Sequence, residues 1–120
     1  MLERKENIIL LKTDAFGDRI VKLYNYLRAE KQEFVMSKQI LRSGTSIGAN
    51  AVESKNAQGT KDFVNKLSIA LKEADETQYW LKKLYHGDYL TKPQFESMNG
   101  DNEEIVRILT KIIKTTKERM

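Results

Sequence analysis

Seven residues of the 120-residue chain, Phe63, Leu67, Ala70, Ala74, Thr77, Leu81 and Leu84, follow one another at alternating steps of four and three. That spacing keeps one narrow face of a helix apolar over three heptads, which is the seam of a helix packed along its length against others. Val64, Leu71 and Tyr85 form a second apolar line beside the seam, so this helix faces more than one partner. A single helix cannot bury such a surface alone, and the rest of the chain must supply the covering layer.

It does so with three further amphipathic segments. Thr13 reads as the cap of a first helix with Asp14 near the positive end of its dipole. Phe16, Ile20, Leu23 and Leu27 then mark one buried stripe that ends near Lys31. A second segment, from about Ser37 to Lys55, carries Met36, Ile40, Ile47 and Ala51 on its apolar line. The seam helix follows, with Thr60 as its expected N-cap and His86-Gly87 as its stop, glycine suiting a cap that needs positive φ. The last opens at Thr91-Lys92-Pro93, proline being tolerated in a first turn, and runs through Ile105, Ile108, Leu109, Ile112 and Ile113. Asn99-Gly100 is a possible break in it, leaving Pro93–Met98 as a separate turn. Four such helices of ~20–25 residues, each ~30–38 Å long, joined by short turns, predict an all-α, antiparallel up-down-up-down four-helix bundle over residues 13–120. Residues 1–12, with the short apolar run Ile8–Leu11, read as an N-terminal arm lying across the bundle or a neighbouring chain.

The second segment contains RSGTSIGANAVE, residues 42–53, an unusual load of small and polar side chains for a helix. A helix-interior glycine costs about 1 kcal/mol relative to alanine. Gly44 and Gly48 lie four apart on one face, with Ser43, Ala51 and Ser54 near the same side, which suits a close approach of another backbone or a bulky side chain. A phosphate-gripping loop is the poorer reading, since Lys-Ser/Thr does not follow the second glycine and no strand precedes it. Arg42, Ser46, Asn50 and Glu53 form a polar stripe bordering the apolar line, and Glu73 and Glu76 border the seam of the third helix. They predict a hydrogen-bonded network in which Arg42 neutralises the carboxylates and Asn50 uses both ends of its amide. A catalytic or metal-binding carboxylate cluster is the weaker alternative.

Chemistry finds little to use. Histidine occurs once, at His86, and cysteine not at all, so a di-iron site, a thiolate metal site and a serine triad all lack members. No catalytic residue, cofactor or metal is expected. No apolar run approaches the roughly 20 residues that cross a bilayer, and no signal peptide opens the chain, so a cytoplasmic protein without membrane contact is expected. Tyr79, Trp80 and Tyr85 could stack bases, but at helical spacing beside the seam they suit a core or subunit interface better. The net charge is +4. Arg107, Lys111 and Lys114 step along one face of the last helix, extended by Lys117 and Arg119. They form a ridge that either stays solvated at the helix end or follows a phosphate backbone. RNA or DNA is the favoured partner class, with a protein-only adaptor holding a partner helix in an exposed groove as the alternative.

Two motifs together resemble a known family. Arg42, Ser43, Thr45, Ser46, Ile47, Asn50 and Glu53 match a segment of the form Arg-Ser-x-Thr-Ser-Ile-x-x-Asn-x-x-Glu. Glu73, Ala74, Glu76, Thr77, Tyr79, Trp80 and Leu81 match one of the form Glu-Ala-x-Glu-Thr-x-Tyr-Trp-Leu. Both are similar to the small four-helix-bundle proteins called 23S rRNA intervening-sequence proteins, over nearly the whole chain. The resemblance implies a ring-forming bundle, a homopentamer, and carries over no catalytic residue. The family name refers to gene location and establishes no ribosomal role. More distantly the chain resembles the accessory proteins of diversity-generating retroelements, basic pentamers that bind a reverse transcriptase and nucleic acid; this chain is less basic.

Overall fold

A computed structural model describes residues 4–120, with side chains from residue 8 onward. Four helices follow in order: α1 Arg4–Ala29, α2 Met36–Lys55, α3 Thr60–His86 and α4 Lys92–Glu118. Each touches two others, α1 with α2 and α4, and α3 with α2 and α4, leaving α1–α3 and α2–α4 as diagonals. The result is a four-helix bundle measuring 46 × 21 × 19 Å, close to the ~40 Å of a 27-residue helix.

The buried stripes are the expected ones, extended. On α1, Phe16, Ile20, Leu23 and Leu27 are buried, and Ile9 continues their line. On α3, Leu67, Ala70, Ala74, Thr77, Leu81 and Leu84 are all buried, with Phe63 only half so. The α4 stripe is itself heptad-spaced, Met98, Asn102, Ile105, Leu109 and Ile112, and passes through Asn99-Gly100 without a break.

Several local expectations are corrected. The arm at residues 1–12 is, over its described residues 4–12, the beginning of α1; residues 1–3 lie outside the described residues. Thr13 is therefore interior to the helix. Its hydroxyl donates back to the Ile9 carbonyl at 2.8 Å instead of capping a start. Gly59, at φ 128°, is the N-cap of α3 and Thr60 its first residue. After α3 the left-handed residue is Asp88 (φ 65°), and Gly87 has an ordinary negative φ. The first helix ends at Ala29, two residues before Lys31. The start of α4 matches its sequence signature: Thr91 and Gln94 form a reciprocal capping box, with Pro93 in the first turn.

Two devices fix the helix ends and pairs. Glu33 turns its carboxylate onto the amides of Val35, Met36 and Ser37, which donate at 3.2, 3.1 and 2.7 Å. Ser37 in turn donates its hydroxyl to the Glu33 carbonyl at 2.8 Å. Arg19 ties α1 to α4 through Asp101 at 2.5 Å and the Ser97 hydroxyl at 2.9 Å.

Candidate functional site

Two surfaces gather the residues singled out above. The first is the α2–α3 seam. Gly44 is buried, and a Cβ built on it would lie 2.7 Å from Cδ1 and Cγ1 of Ile20. The helix is thin there because α1 presses an isoleucine into it. At Gly48 a Cβ would lie 3.3 Å from the Thr13 carbonyl oxygen, so the α1 backbone itself makes the approach. Opposite, Ser43 and Thr77 are fully buried and share a hydrogen bond of 2.9 Å, while Thr77 also donates to the Glu73 carbonyl at 2.8 Å. Two β-hydroxyls in a dry seam are satisfied by each other and by backbone.

At the rim of this seam Arg42 donates from Nη1 to Glu73 at 2.9 Å and from Nη2 to Glu76. The Trp80 indole donates to the same Glu76 oxygen at 3.1 Å. Hydrogen bonding from Arg42, then from Trp80, holds the Glu76 carboxyl below the usual carboxylate range, and the bond to Glu76 pushes the Arg42 guanidinium up. The Glu73 side chain is only 14% exposed while Arg42 is 51% exposed, so the guanidinium lids the carboxylates from the solvent side. Three of the six predicted network residues thus meet: Arg42, Glu73 and Glu76. Ser46 and Asn50 do not join them; each bonds a carbonyl one turn back in α2, Arg42 at 2.6 Å and Ser46 at 2.9 Å. Asn50 uses its amide nitrogen alone there. Glu53 pairs separately with Lys66 at 3.5 Å. Trp80, whose polar partner is Glu76, is the member that the helical spacing alone did not place in the network.

Both carboxylates being engaged by one guanidinium, the cluster is built as a clasp between α2 and α3. Among the described residues no group of three His, Cys, Asp or Glu side chains is placed to hold a metal ion. His86 is the last residue of α3 and lies against Tyr85. Tyr85 stacks on Phe95 at 4.8 Å between ring centres, spanning α3 and α4. Tyr79 is exposed, edge-on to Trp80 and beneath Lys83.

The second surface is the outer face of α4. Arg107, Lys111, Lys114, Lys117 and Arg119 are all exposed. Lys111 and Lys114 flank a shallow depression with Val106 and Thr110. Residues 105–120 hold five cations against one anion, Glu118, a net +4 equal to that of the whole chain. Arg107, Lys111, Lys114 and Lys117 enter no ion pair among the described residues. Arg107, Lys111, Lys114 and Lys117 stand four, three and three residues apart, rises of ~6, ~4.5 and ~4.5 Å along the axis. No described helix is long and apolar enough to cross a membrane.

The comparisons with known proteins agree with this architecture. The family model described as 23S rRNA-intervening sequence protein matches residues 5–111. A crystal structure from Bacteroides thetaiotaomicron, described as a protein with unknown function from the S23 ribosomal protein family, is similar at 56% identity. The match covers 92% of this chain and 98% of that one, with a TM-score of 0.91. No curated protein matches.

Proposed function

The chain belongs to the 23S rRNA-intervening sequence protein family, and on that premise we propose that it is a non-enzymatic, cytoplasmic scaffold. In this reading it holds RNA or DNA along the cationic face of α4 and works as a homo-oligomer, the pentamer that the family resemblance implies. The supporting observation is the concentration of charge: a net +4 over residues 105–120, on an exposed face where Arg107, Lys111, Lys114 and Lys117 have no acidic partner among the described residues. A ridge of cations suits the phosphate backbone, which contributes affinity but no sequence preference. Assembly would repeat the ridge around a ring and turn a modest charge per chain into a large one. The lack of cysteine fits a reducing compartment. The likeness to the retroelement accessory proteins would put such a complex beside a reverse transcriptase; the ridge supports only the nucleic-acid half of that likeness.

Four phosphate contacts per chain give a log–log salt slope of about −2.8 on single strands and about −3.6 on duplex. Raising salt from 50 to 200 mM then weakens binding about 50-fold and about 150-fold respectively. Electrophoretic shift or anisotropy measurements at the two salts test this, with Lys111→Glu/Lys114→Glu reducing the slope by at least ~1.4. Salt-insensitive binding, or none, by the wild type overturns the nucleic-acid reading. Sedimentation of the wild type tests assembly separately, a monomer at micromolar concentration overturning it.

A further inference from the structure

The outer junction of α1 and α2 leaves two rows of side chains without a covering helix. On α1, Leu10, Asp14, Gly17 and Val21 step by four, three and four; on α2, Thr45, Gly48 and Val52 step by three and four. These are the intervals of a coiled-coil seam, in which ridges of one helix enter gaps of its neighbours. The other contacts of α1 and α2 go to α4 and α3, so among the described residues no helix lies over these rows. Val21 is 42% exposed, Val52 55%, and the adjacent Leu11 73%.

Gly17 sharpens the point. Unlike Gly44 and Gly48, it is spared no contact within the chain: a Cβ there would meet nothing within 4 Å. Glycine in the middle of a helix is disfavoured relative to alanine, and what its bare face leaves is room in this groove. The charge is also distinctive. The lining carries two carboxylates, Asp14 and Asp18, and no cation, on a chain whose net charge is +4. Among the described residues neither carboxylate forms an ion pair or hydrogen bond. Both stand on the α1 wall, while Thr45, Ala49 and Val52 leave the α2 wall uncharged.

We propose that this groove receives a basic amphipathic helix of another protein. Its apolar ridge lies over Gly17 and Gly48, and Lys or Arg on one flank meets Asp14 and Asp18, helix-in-groove recognition with a charge-set orientation. The rows from Leu10 to Val21 span ~17 Å, about three turns of the visitor. The sign of the groove disfavours nucleic acid. The cationic face of α4 from a second copy matches the charge but not the shape, since no large apolar side chain of residues 92–118 is exposed to form the ridge.

The test uses two synthetic helical peptides of about 20 residues, identical in a Leu/Ile heptad face and differing in Lys or Glu along one flank. Binding of each to the full chain is read by fluorescence anisotropy at low salt. The wild type is expected to prefer the Lys peptide about tenfold or more. Gly17→Leu, which points into open space and melts a few degrees above wild type through the helix propensity it gains, loses that binding, and Asp14→Lys/Asp18→Lys reverses the preference. Lys111→Glu/Lys114→Glu keeps it, which separates this groove from the nucleic-acid reading. Equal binding of both peptides, no binding, or retention in Gly17→Leu overturns the proposal. So does a drop in solution mass in Gly17→Leu, which would put a second copy in the groove.

Discussion

Replacing each of four helical glycines by alanine should separate close approach from mere tolerance. Removing glycine from a helix interior is worth about 1 kcal/mol in favour of the variant. At Gly17 and Gly100, where a Cβ meets nothing within 4 Å, that gain should appear nearly whole, raising Tm by about 4 °C for a chain of this length. At Gly44 the same methyl would sit 2.7 Å from Cδ1 and Cγ1 of Ile20 and 2.9 Å from its Cγ2. Carbon pairs prefer about 3.5–4.0 Å, so the overlap approaches 1 Å against three atoms at once. Ile20 is fully buried, and a β-branched side chain in a helix has one strongly favoured rotamer, so it cannot swing aside. Overpacking of this kind costs about 1–3 kcal/mol. Set against the propensity gain, Gly44→Ala should be destabilised by about 1 kcal/mol, lying about 2 kcal/mol below Gly17→Ala. Gly48→Ala, whose Cβ would sit 3.3 Å from the Thr13 oxygen, should fall between. Urea and thermal unfolding give all four values. Combining Gly44→Ala with Ile20→Ala should cost less than the sum of the two, since the new methyl then fills part of the cavity. If Gly44→Ala stabilises as much as Gly17→Ala, α1 and α2 are not in contact at this position and the packing argument fails.

Glu76→Gln should lower stability at neutral pH by about 1 kcal/mol, the size of a half-exposed charged pair. Because Arg42 and Trp80 lower the folded-state pKa of Glu76, the wild-type advantage exists above the ordinary carboxylate range and disappears as pH falls below it; melting curves from pH 7 to 2 should converge, and parallel curves would refute the clasp. Asn102→Leu should stabilise by about 1–2 kcal/mol. The fully buried Asn102 donates to the Ala74 carbonyl at 2.9 Å but leaves Oδ1 without a partner, so a loss of stability on denaturation would contradict that account. Glu33→Ala should cost about 2 kcal/mol through loss of three accepted amides at the start of α2, with hydrogen exchange accelerating first at Val35, Met36 and Ser37.

The long periodic rows carry most of the legible fold. Phe16 to Leu27 and Leu67 to Leu84 each repeat the helical interval often enough that no alternative period fits them. The start of α1 is the instructive miss. An apolar run followed by Thr13-Asp14 looks like a segment, a gap and a capped helix. A threonine hydroxyl, however, serves equally well by bonding back to the carbonyl four residues earlier, as it does to Ile9. Sequence does not distinguish forward from backward bonding; the burial of Ile9, in line with Phe16 and Ile20, does. The end of α3 fails similarly, because Asp tolerates the left-handed region well enough to take it at position 88 and leave Gly87 ordinary.

At the polar seam, reach decides what was readable. Ser46 and Asn50 share the helical face of Arg42, but neighbouring helix axes stand about 8–10 Å apart, and side chains of two or three heavy atoms beyond Cβ or fewer find a carbonyl of their own helix sooner than a partner across the gap. Arginine is long enough to cross, so of the α2 stripe it alone clasps Glu73 and Glu76. A small residue behaves oppositely: Gly44 announces that something comes near without saying what, and the answer, Ile20, lies 24 positions away on a helix the motif does not mention. The same logic separates Gly17 from the other two. All three are helix-interior glycines, and the space around each Cβ position shows that Gly44 and Gly48 are spent on the bundle itself while Gly17 faces outward. Openness alone does not mark a contact, since Gly100 has it too; at Gly17 it falls in the groove between α1 and α2 that we propose takes a partner helix.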